Sequence, residues 1–319
     1  MSVRLQPQTT QHSIQFVWGA DYNPAPMPQP PLSPPLEEIV AIVGIGLIGG
    51  SLAAALRQRK VARRVIGVGR DASRLEAARK AGLIDEGSTD LAEVARRANL
   101  IVFCTPVERV AEGVRAALAG LSSHSVLSTQ YSALLITDAG SVKGPICSEL
   151  ADIPNFIGAH PIAGSHRQGF EAADANLFEG KVCVLTPPAN ADADRIQRLE
   201  QFWQSVGMKT VAMTPDDHDR ALAMTSHLPH VVASSLSATL SPENHSLTGT
   251  GFRDTTRVAA GDPALWSGIL LNNVSHVVAG IEDVQHRLES FRTALKLGNA
   301  DVLKQLLEEG RTSRDALGP

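Results

Sequence analysis

What the chain has little of narrows its reading first. Aromatic residues make up 4% of its 319 residues, too few for the stacked rings of a single-stranded nucleic-acid platform. A net charge of −4, from 29 basic and 33 acidic residues, leaves no basic excess to hold nucleic acid or an anionic membrane. Cysteine is scarce. Cys104, Cys147 and Cys183 are odd in number, far apart and set among apolar residues. They read as buried thiols in a reducing compartment, not as a disulfide framework or a metal site. No apolar run reaches membrane-spanning length, and the N-terminus lacks the charged-then-apolar order of a secretion signal. These absences lead to the expectation of a cytoplasmic protein with small-molecule partners, without nucleic acid, membrane or metal.

What is present is an apolar fraction of 43%, enough for a substantial core, and length for roughly two domains. Residues 1–36 are polar, then proline-dense, and read as a disordered or polyproline-like tail. The organising stretch comes next. A β-branched run, Ile39-Val40-Ala41-Ile42-Val43, breaks into Gly44-Ile45-Gly46-Leu47-Ile48-Gly49, and an alanine- and leucine-rich helix follows. This order is what a dinucleotide-binding βαβ unit needs. Gly44 permits the tight turn, Gly46 admits a pyrophosphate against the backbone, and Gly49 lets helix and strand pack closely. The free N–H groups of Leu47 and Ile48 at the helix start face the phosphates.

Further short strands, at residues 64–69, 99–104, 134–137, 156–159 and 182–185, alternate with helices. They predict an α/β fold with one doubly wound, mostly parallel sheet over residues 37–214. Residues 121–132 read as a polar loop. From residue 215 the strand signals stop. Helical patterns at residues 217–240, 264–297 and 301–309 predict an all-helical domain to residue 310, with 311–319 as a tail. So few helices cannot hide all their apolar faces, which predicts a homodimer.

Ligands of such sheets bind beyond the carboxyl ends of strands. In an NAD site the second strand ends in an acid that holds the ribose hydroxyls. Here Gly69 occupies that place and Arg70 follows. This favours NADP over NAD, because nothing repels a 2′-phosphate and a guanidinium can bind it; the alternative is a solvated Arg70 with Asp71 on the ribose. Ser141 and Lys143 follow one strand, and His160, Gly164, Ser165 and His166 follow another. His160, held by Pro161, reads either as a catalytic base or as a structural histidine. Arg253 and Arg257, four apart, share a helix face. Either a substrate carboxylate or local acids such as Asp254 neutralise them. His227 and His230 lack the spacing of a zinc motif.

Five motifs in order resemble those of the prephenate/arogenate dehydrogenase family of tyrosine biosynthesis. They are the glycine run, Asp138-Ala-Gly-Ser141-Val-Lys143-Gly144, Gly158-Ala-His160-Pro-Ile-Ala-Gly164-Ser165, Ser226-His-Leu-Pro-His230 and Gly251-Phe-Arg253-Asp-Thr-Thr-Arg257. The resemblance implies NAD(P)-dependent oxidative decarboxylation of prephenate to 4-hydroxyphenylpyruvate, or of arogenate to tyrosine. It makes His160 the catalytic histidine and Ser141 its hydrogen-bond partner beside the nicotinamide. Arg257 becomes the carboxylate-binding arginine, with Arg253, His230 and Ser165 lining that site, and Thr105 and Pro106 border the cofactor. His166 stands where relatives often carry a carboxylate or amide. Arogenate's ammonium would seek an acid there, so His166 tilts the reading to prephenate. A β-hydroxyacid-type dehydrogenase is the alternative, but it would need a lysine that residues 215–240 lack.

Overall fold

The computed structural model describes residues 35–121, 133–165 and 167–318. The proline-rich tail before residue 35 and most of the expected 121–132 loop lie outside them.

Five strands form the first sheet: β1 (Glu37–Val43), β2 (Ala62–Val68), β3 (Glu86–Ser88), β4 (Leu100–Phe103) and β5 (Leu135–Asp138). Their order is β3-β2-β1-β4-β5 and every pairing is parallel. Alternation along the strands feeds two cores. Val40, Ile42, Leu100 and Val102 point to one face with Leu52, Phe202 and Trp203. Ala41, Val43, Ile101 and Phe103 point to the other with Val110, Val114 and Ile136. Burial on both faces is why these strands read as continuous apolar runs. Each fully buried large side chain contributes roughly 1.5–3 kcal/mol. Strand order reverses between β1 and β4, which opens a crevice beyond their carboxyl ends.

The expected single sheet is two. β6 (Gly158–Pro161), β7 (Val182–Thr186) and β8 (Lys209–Ala212) form a separate three-stranded sheet. Within it β6 and β7 run antiparallel, and β7 and β8 parallel. Among the described residues one isolated bridge, Ile136 to Phe156, continues the first sheet toward the second. The chain then turns away at Gly158, where a Cβ would lie 2.4 Å from Thr186 Oγ1 and 2.9 Å from Cys147 Sγ. His160 therefore sits within a strand of the second sheet, not just past a strand of the first.

The two sheets are joined by a buried ion pair. Lys143 and Asp138, both fully buried, pair directly. Lys143 Nζ also donates to the Ala159 carbonyl at 2.9 Å, and Asp138 Oδ1 accepts from Ala159 N–H at 3.0 Å. Gly140 N–H donates to Asp138 Oδ2 at 2.9 Å. Both backbone groups of Ala159 are thus held by the end of β5, one residue before His160.

Helices follow from residue 215, but in more pieces than the periodicity indicates. Helix Pro215–Leu222 runs into a π-helical turn, Ala223–His227, then helix Leu228–Ala238. The expected 264–297 helix breaks at Asn273 into Pro263–Asn272 and Val274–Lys296, bent by 98°. Buried Asn273 spends its amide on the core at that break, donating to Asp219 O at 2.7 Å. The last helix, Ala300–Asp315, extends beyond 310 into the expected tail; its N-cap Asn299 accepts from Val302 N–H at 3.1 Å. Among the described residues no single helix is long and apolar enough to cross a membrane.

Removing one partner of a buried pair leaves the other charge uncompensated. Lys143→Met should therefore cost about 3–5 kcal/mol of stability, read by urea denaturation; a loss below ~1 kcal/mol would show that the clamp does not hold the sheets together.

Candidate active site

The glycine turn has the shape of a phosphate cradle. Gly44 has φ +97°, a conformation that side chains disfavour, and its added Cβ would lie 2.9 Å from Cys104 O and 3.2 Å from Thr105 Cγ2. The turn after β1 thus abuts the end of β4 at Cys104 and Thr105. A Cβ on Gly49 would meet Gly44 O at 2.1 Å, so helix and turn touch through it. Gly46 is different: nothing lies within 4 Å of its Cβ position. It is the N-cap of helix Leu47–Gln58, with no capping side chain and no acid in the first turn. The helix start keeps free N–H groups and a positive dipole end facing open space. Thr105 Oγ1 is buried without a partner among the described residues. A dinucleotide pyrophosphate fits this cradle in charge and in room.

At the end of β2, Gly69 offers no carboxylate and has space beside it, its Cβ position meeting only Leu75 at 3.6 Å. Asp71 is already used. Its Oδ1 accepts from Ser73 N–H at 2.9 Å, Ser73 Oγ at 2.6 Å and Arg74 N–H at 3.2 Å, capping the next helix. The Ser73 side chain, then the two backbone N–H groups, hold this carboxyl below its ordinary range. Exposed Arg70 makes no hydrogen bond or ion pair among the described residues.

His160, in β6, is 8% exposed. Its Nδ1 lies 2.8 Å from Nε2 of His218, whose Nδ1 lies 2.7 Å from Asp219 Oδ1. The two rings cross at 64° with centroids 5.0 Å apart. Asp219 also accepts from Lys143 N–H and Gly144 N–H, each at 2.7 Å. Nε2 of His160 carries no hydrogen bond among the described residues. Burial, then the neighbouring His218, Lys143 and His227, push the His160 pKa well below 6.5. The expected bond from Ser141 is not formed: half-buried Ser141 makes no hydrogen bond among the described residues, and His218 holds Nδ1 instead. His218 and Asp219 escaped the sequence reading because they sit mid-helix without a motif. Only the fold brings them under His160.

Two family models cover most of the chain. Residues 52–212 match the nucleotide-binding domain of prephenate dehydrogenase, and residues 214–309 match its dimerization domain. The chain belongs to the prephenate dehydrogenase family. It is 34% identical to a cyclohexadienyl dehydrogenase of Zymomonas mobilis, over 87% of this chain and 95% of that one. A solved prephenate dehydrogenase from A. aeolicus, in complex with hydroxyphenyl propionate and NAD+, has a TM-score of 0.78 at 31% identity. That match covers 90% of this chain and 100% of that one. For the Synechocystis arogenate dehydrogenase the TM-score is 0.74 at 32% identity, covering 88% and 99%. This protein is an NAD(P)-dependent oxidoreductase of that family, with a Rossmann-type domain followed by a helical one.

The family's remaining motifs fall on the helical part. His230 stacks on Trp266, ring centroids 3.7 Å apart at 12°. Gly261 makes room for the stack, since its Cβ would lie 2.3 Å from Trp266 Nε1 and 3.0 Å from His230 Cε1. Trp266 was not among the expected residues. His230 Nδ1 and His227 Nε2 are buried without partners among the described residues, and burial lowers the His227 pKa to about 4. Arg253 lies on the short helix Thr250–Thr256 and Arg257 at its C-cap. Both are exposed and neither forms an ion pair among the described residues, with Asp254 or any other acid, so their charges stay available to an anion. Ser165 spends its hydroxyl on Arg167 N–H at 3.0 Å, and His166 lies outside the described residues. Gln168 donates to Asp262 Oδ2 at 2.9 Å, tying this loop to the cap of the Trp266 helix. A cavity of about 550 Å³, lined by Cys147, Thr186, Asp216 and His276, reaches the polar network of His160 at Gly144, Asp219 and Asn273.

The two glycines should separate in mutagenesis. Gly49→Ala should lower the melting temperature by several degrees, since the clash is with backbone. Gly46→Ala should leave the melting temperature nearly unchanged yet weaken reduced-cofactor binding, measured by fluorescence titration, by tenfold or more. Unchanged cofactor affinity in Gly46→Ala would refute the cradle.

Proposed function

We propose that this protein oxidatively decarboxylates prephenate to 4-hydroxyphenylpyruvate, with NADP as preferred acceptor, in the cytoplasm and as a homodimer. Residues 37–214 would hold the cofactor, and residues 215–310 would supply the carboxylate-binding side and the dimer contacts. The observation that carries the reading is a buried His160 whose Nδ1 is held by His218 while its Nε2 carries no hydrogen bond among the described residues.

Gly44, Gly46, Leu47, Ile48 and Gly49 would hold the pyrophosphate, with Thr105 and Pro106 at the border and Ser141 near the nicotinamide. Bound there, the nicotinamide supplies the acceptor for the hydride leaving C4 of the ring. His160 takes the proton of the 4-hydroxyl at Nε2, which requires a neutral imidazole. Its burial keeps it neutral at pH 7. The bond from the ring to its carboxylate then breaks, CO2 leaves, its electron pair makes the ring aromatic, and the proton returns from His160 to the ring oxygen. Arg257 and Arg253 hold substrate carboxylate through charge-assisted hydrogen bonds, with His230 and Ser165 beside them. The absent acid at Gly69, the engaged Asp71 and the unpaired Arg70 together support NADP. The preference for prephenate rests on His166 at a position where an ammonium would find no acid. Exposed Leu271, Leu288, Leu295 and Leu307 on the last helices support a second copy as the cover for that face. Three free thiols, each raised by burial above the usual thiol value, suit a reducing cytoplasm.

Reduced-cofactor absorbance with prephenate or arogenate, and NADP or NAD, tests the assignment directly. Prephenate with NADP should give the highest kcat/KM, and a tenfold preference for NAD would overturn the cofactor choice. His160→Asn should lower kcat by about 10²–10⁴ with little change in KM; Arg257→Ala should chiefly raise KM. The acid limb of kcat/KM should lie well below pH 6.5, because a base whose pKa is depressed stays neutral until lower pH. A limb at or above 6.5 would contradict the burial argument.

A further inference from the structure

We infer that His218 and Asp219 are positioning residues that set the tautomer of His160 and stabilise the imidazolium formed during turnover. The inference rests on His160 being the base. Its logic runs inward from Asp219. Oδ1 and Oδ2 each face a backbone N–H, from Lys143 and Gly144 at 2.7 Å. These are obligate donors, so the group stands as a carboxylate that can only accept. His218 Nδ1, 2.7 Å from Oδ1, must then be the protonated nitrogen of that ring. In a neutral His218 the other nitrogen, Nε2, is an acceptor. Its partner at 2.8 Å, His160 Nδ1, therefore donates, and the lone pair of His160 is left on Nε2, the nitrogen with no partner among the described residues.

The opposite tautomer would put a hydrogen on that nitrogen and make it useless as a base. Proton accounting is simple. As the O–H bond of the substrate hydroxyl breaks, an Nε2–H bond forms on His160. The charge then lies in a row of two rings ending at a carboxylate. The arrangement follows the logic by which a buried carboxylate orients a catalytic histidine, with one extra imidazole between them. His218 is fully buried and Asp219 nearly so; in that low-dielectric setting the carboxylate is felt through the ring. Other groups face His160 as well. Lys143 and Asp138 come from the end of β5, Cys183 from β7 and His227 from the π-helical turn. Of these, the Lys143 charge is matched by Asp138, and His227 is neutral at pH 7 because its pKa is about 4. Asp219 is therefore the carboxylate left to favour the imidazolium.

Three measurements test this. In protein labelled with 15N-histidine and free of cofactor, His160, assigned by its loss in His160→Asn, should show Nδ1–H and a bare Nε2. An Nε2–H tautomer overturns the inference. This measurement needs no substrate, so it stands apart from the choice of reaction. Next, His218→Gln can still offer an amide oxygen to His160 Nδ1–H, whereas His218→Leu cannot. The leucine variant should lose about 10²-fold in kcat with KM within threefold, and the glutamine variant should keep at least tenfold more of it. Equal losses would mean that His218 only fills space. Last, Asp219→Asn should move the acid limb of kcat/KM to lower pH, because the carboxylate that favours the imidazolium is gone. A lower rate with an unmoved limb would mark Asp219 as structural. Reduced-cofactor affinity and melting temperature check that each variant is folded. Should Asp219→Asn fail that check, because Asp219 also caps Lys143 and Gly144, the tautomer and the His218 pair decide.

Discussion

The buried pair of Asp138 and Lys143 is the interaction on which the site depends. A buried ion pair gains little net stability over an apolar substitute, because desolvation offsets most of its attraction. What this pair supplies is position. Asp138 ends β5 and accepts the N–H of Ala159; Lys143 donates to the carbonyl of the same residue. A strand of the second sheet is thereby held at the carboxyl end of β5 in the first. His160 is the next residue. Its place relative to the glycine turn is set by charge-assisted bonds between main chain and two side chains, not by ladder hydrogen bonds.

From that point the hydrogen bonds run on into the helical part. Lys143 and Gly144 lend their N–H groups to Asp219, Asp219 holds His218, and His218 holds His160. Asn273, at the break between two helices, donates to Asp219 O and lies 3.1 Å from His227 Nδ1. The first sheet's edge, the second sheet and the helical part thus share one buried polar network. In such a network each satisfied bond stiffens its neighbours, and each missing one is costly. The burial that makes these bonds matter also keeps His160 and His227 neutral. A histidine exposed to water would sit half-charged near pH 6.5 and serve poorly as a base at lower pH.

The π-helical turn and the bend at Asn273 mark where local preference yields to this network. Residues 217–240 carry an apolar period that reads as one helix. The structure inserts a wider turn at Ala223–His227, burying His227 at 1% exposure. Turns of this kind are rare and recur at functional sites. Periodicity does not record them, because the apolar stripe continues on either side.

Some of this protein was legible from residue order alone. Gly44, Gly46 and Gly49 declare a cradle because backbone sterics leave glycine few substitutes there. The gap at Gly69 and the switch to helices after residue 214 are equally local signals. The motif around His160 and the four-residue spacing of Arg253 and Arg257 are local signals too, and they name the candidates on which the proposed reaction draws. Tertiary structure alone decided that the strands divide into two sheets, since a strand's apolar run is the same whichever sheet receives it. It also decided that the partner of His160 is His218 and not Ser141. His160 and His218 are 58 residues apart in the chain, and a hydrogen bond between them depends on where β6 and helix Pro215–Leu222 meet. No local rule of sequence encodes that meeting; the packing of the whole chain does.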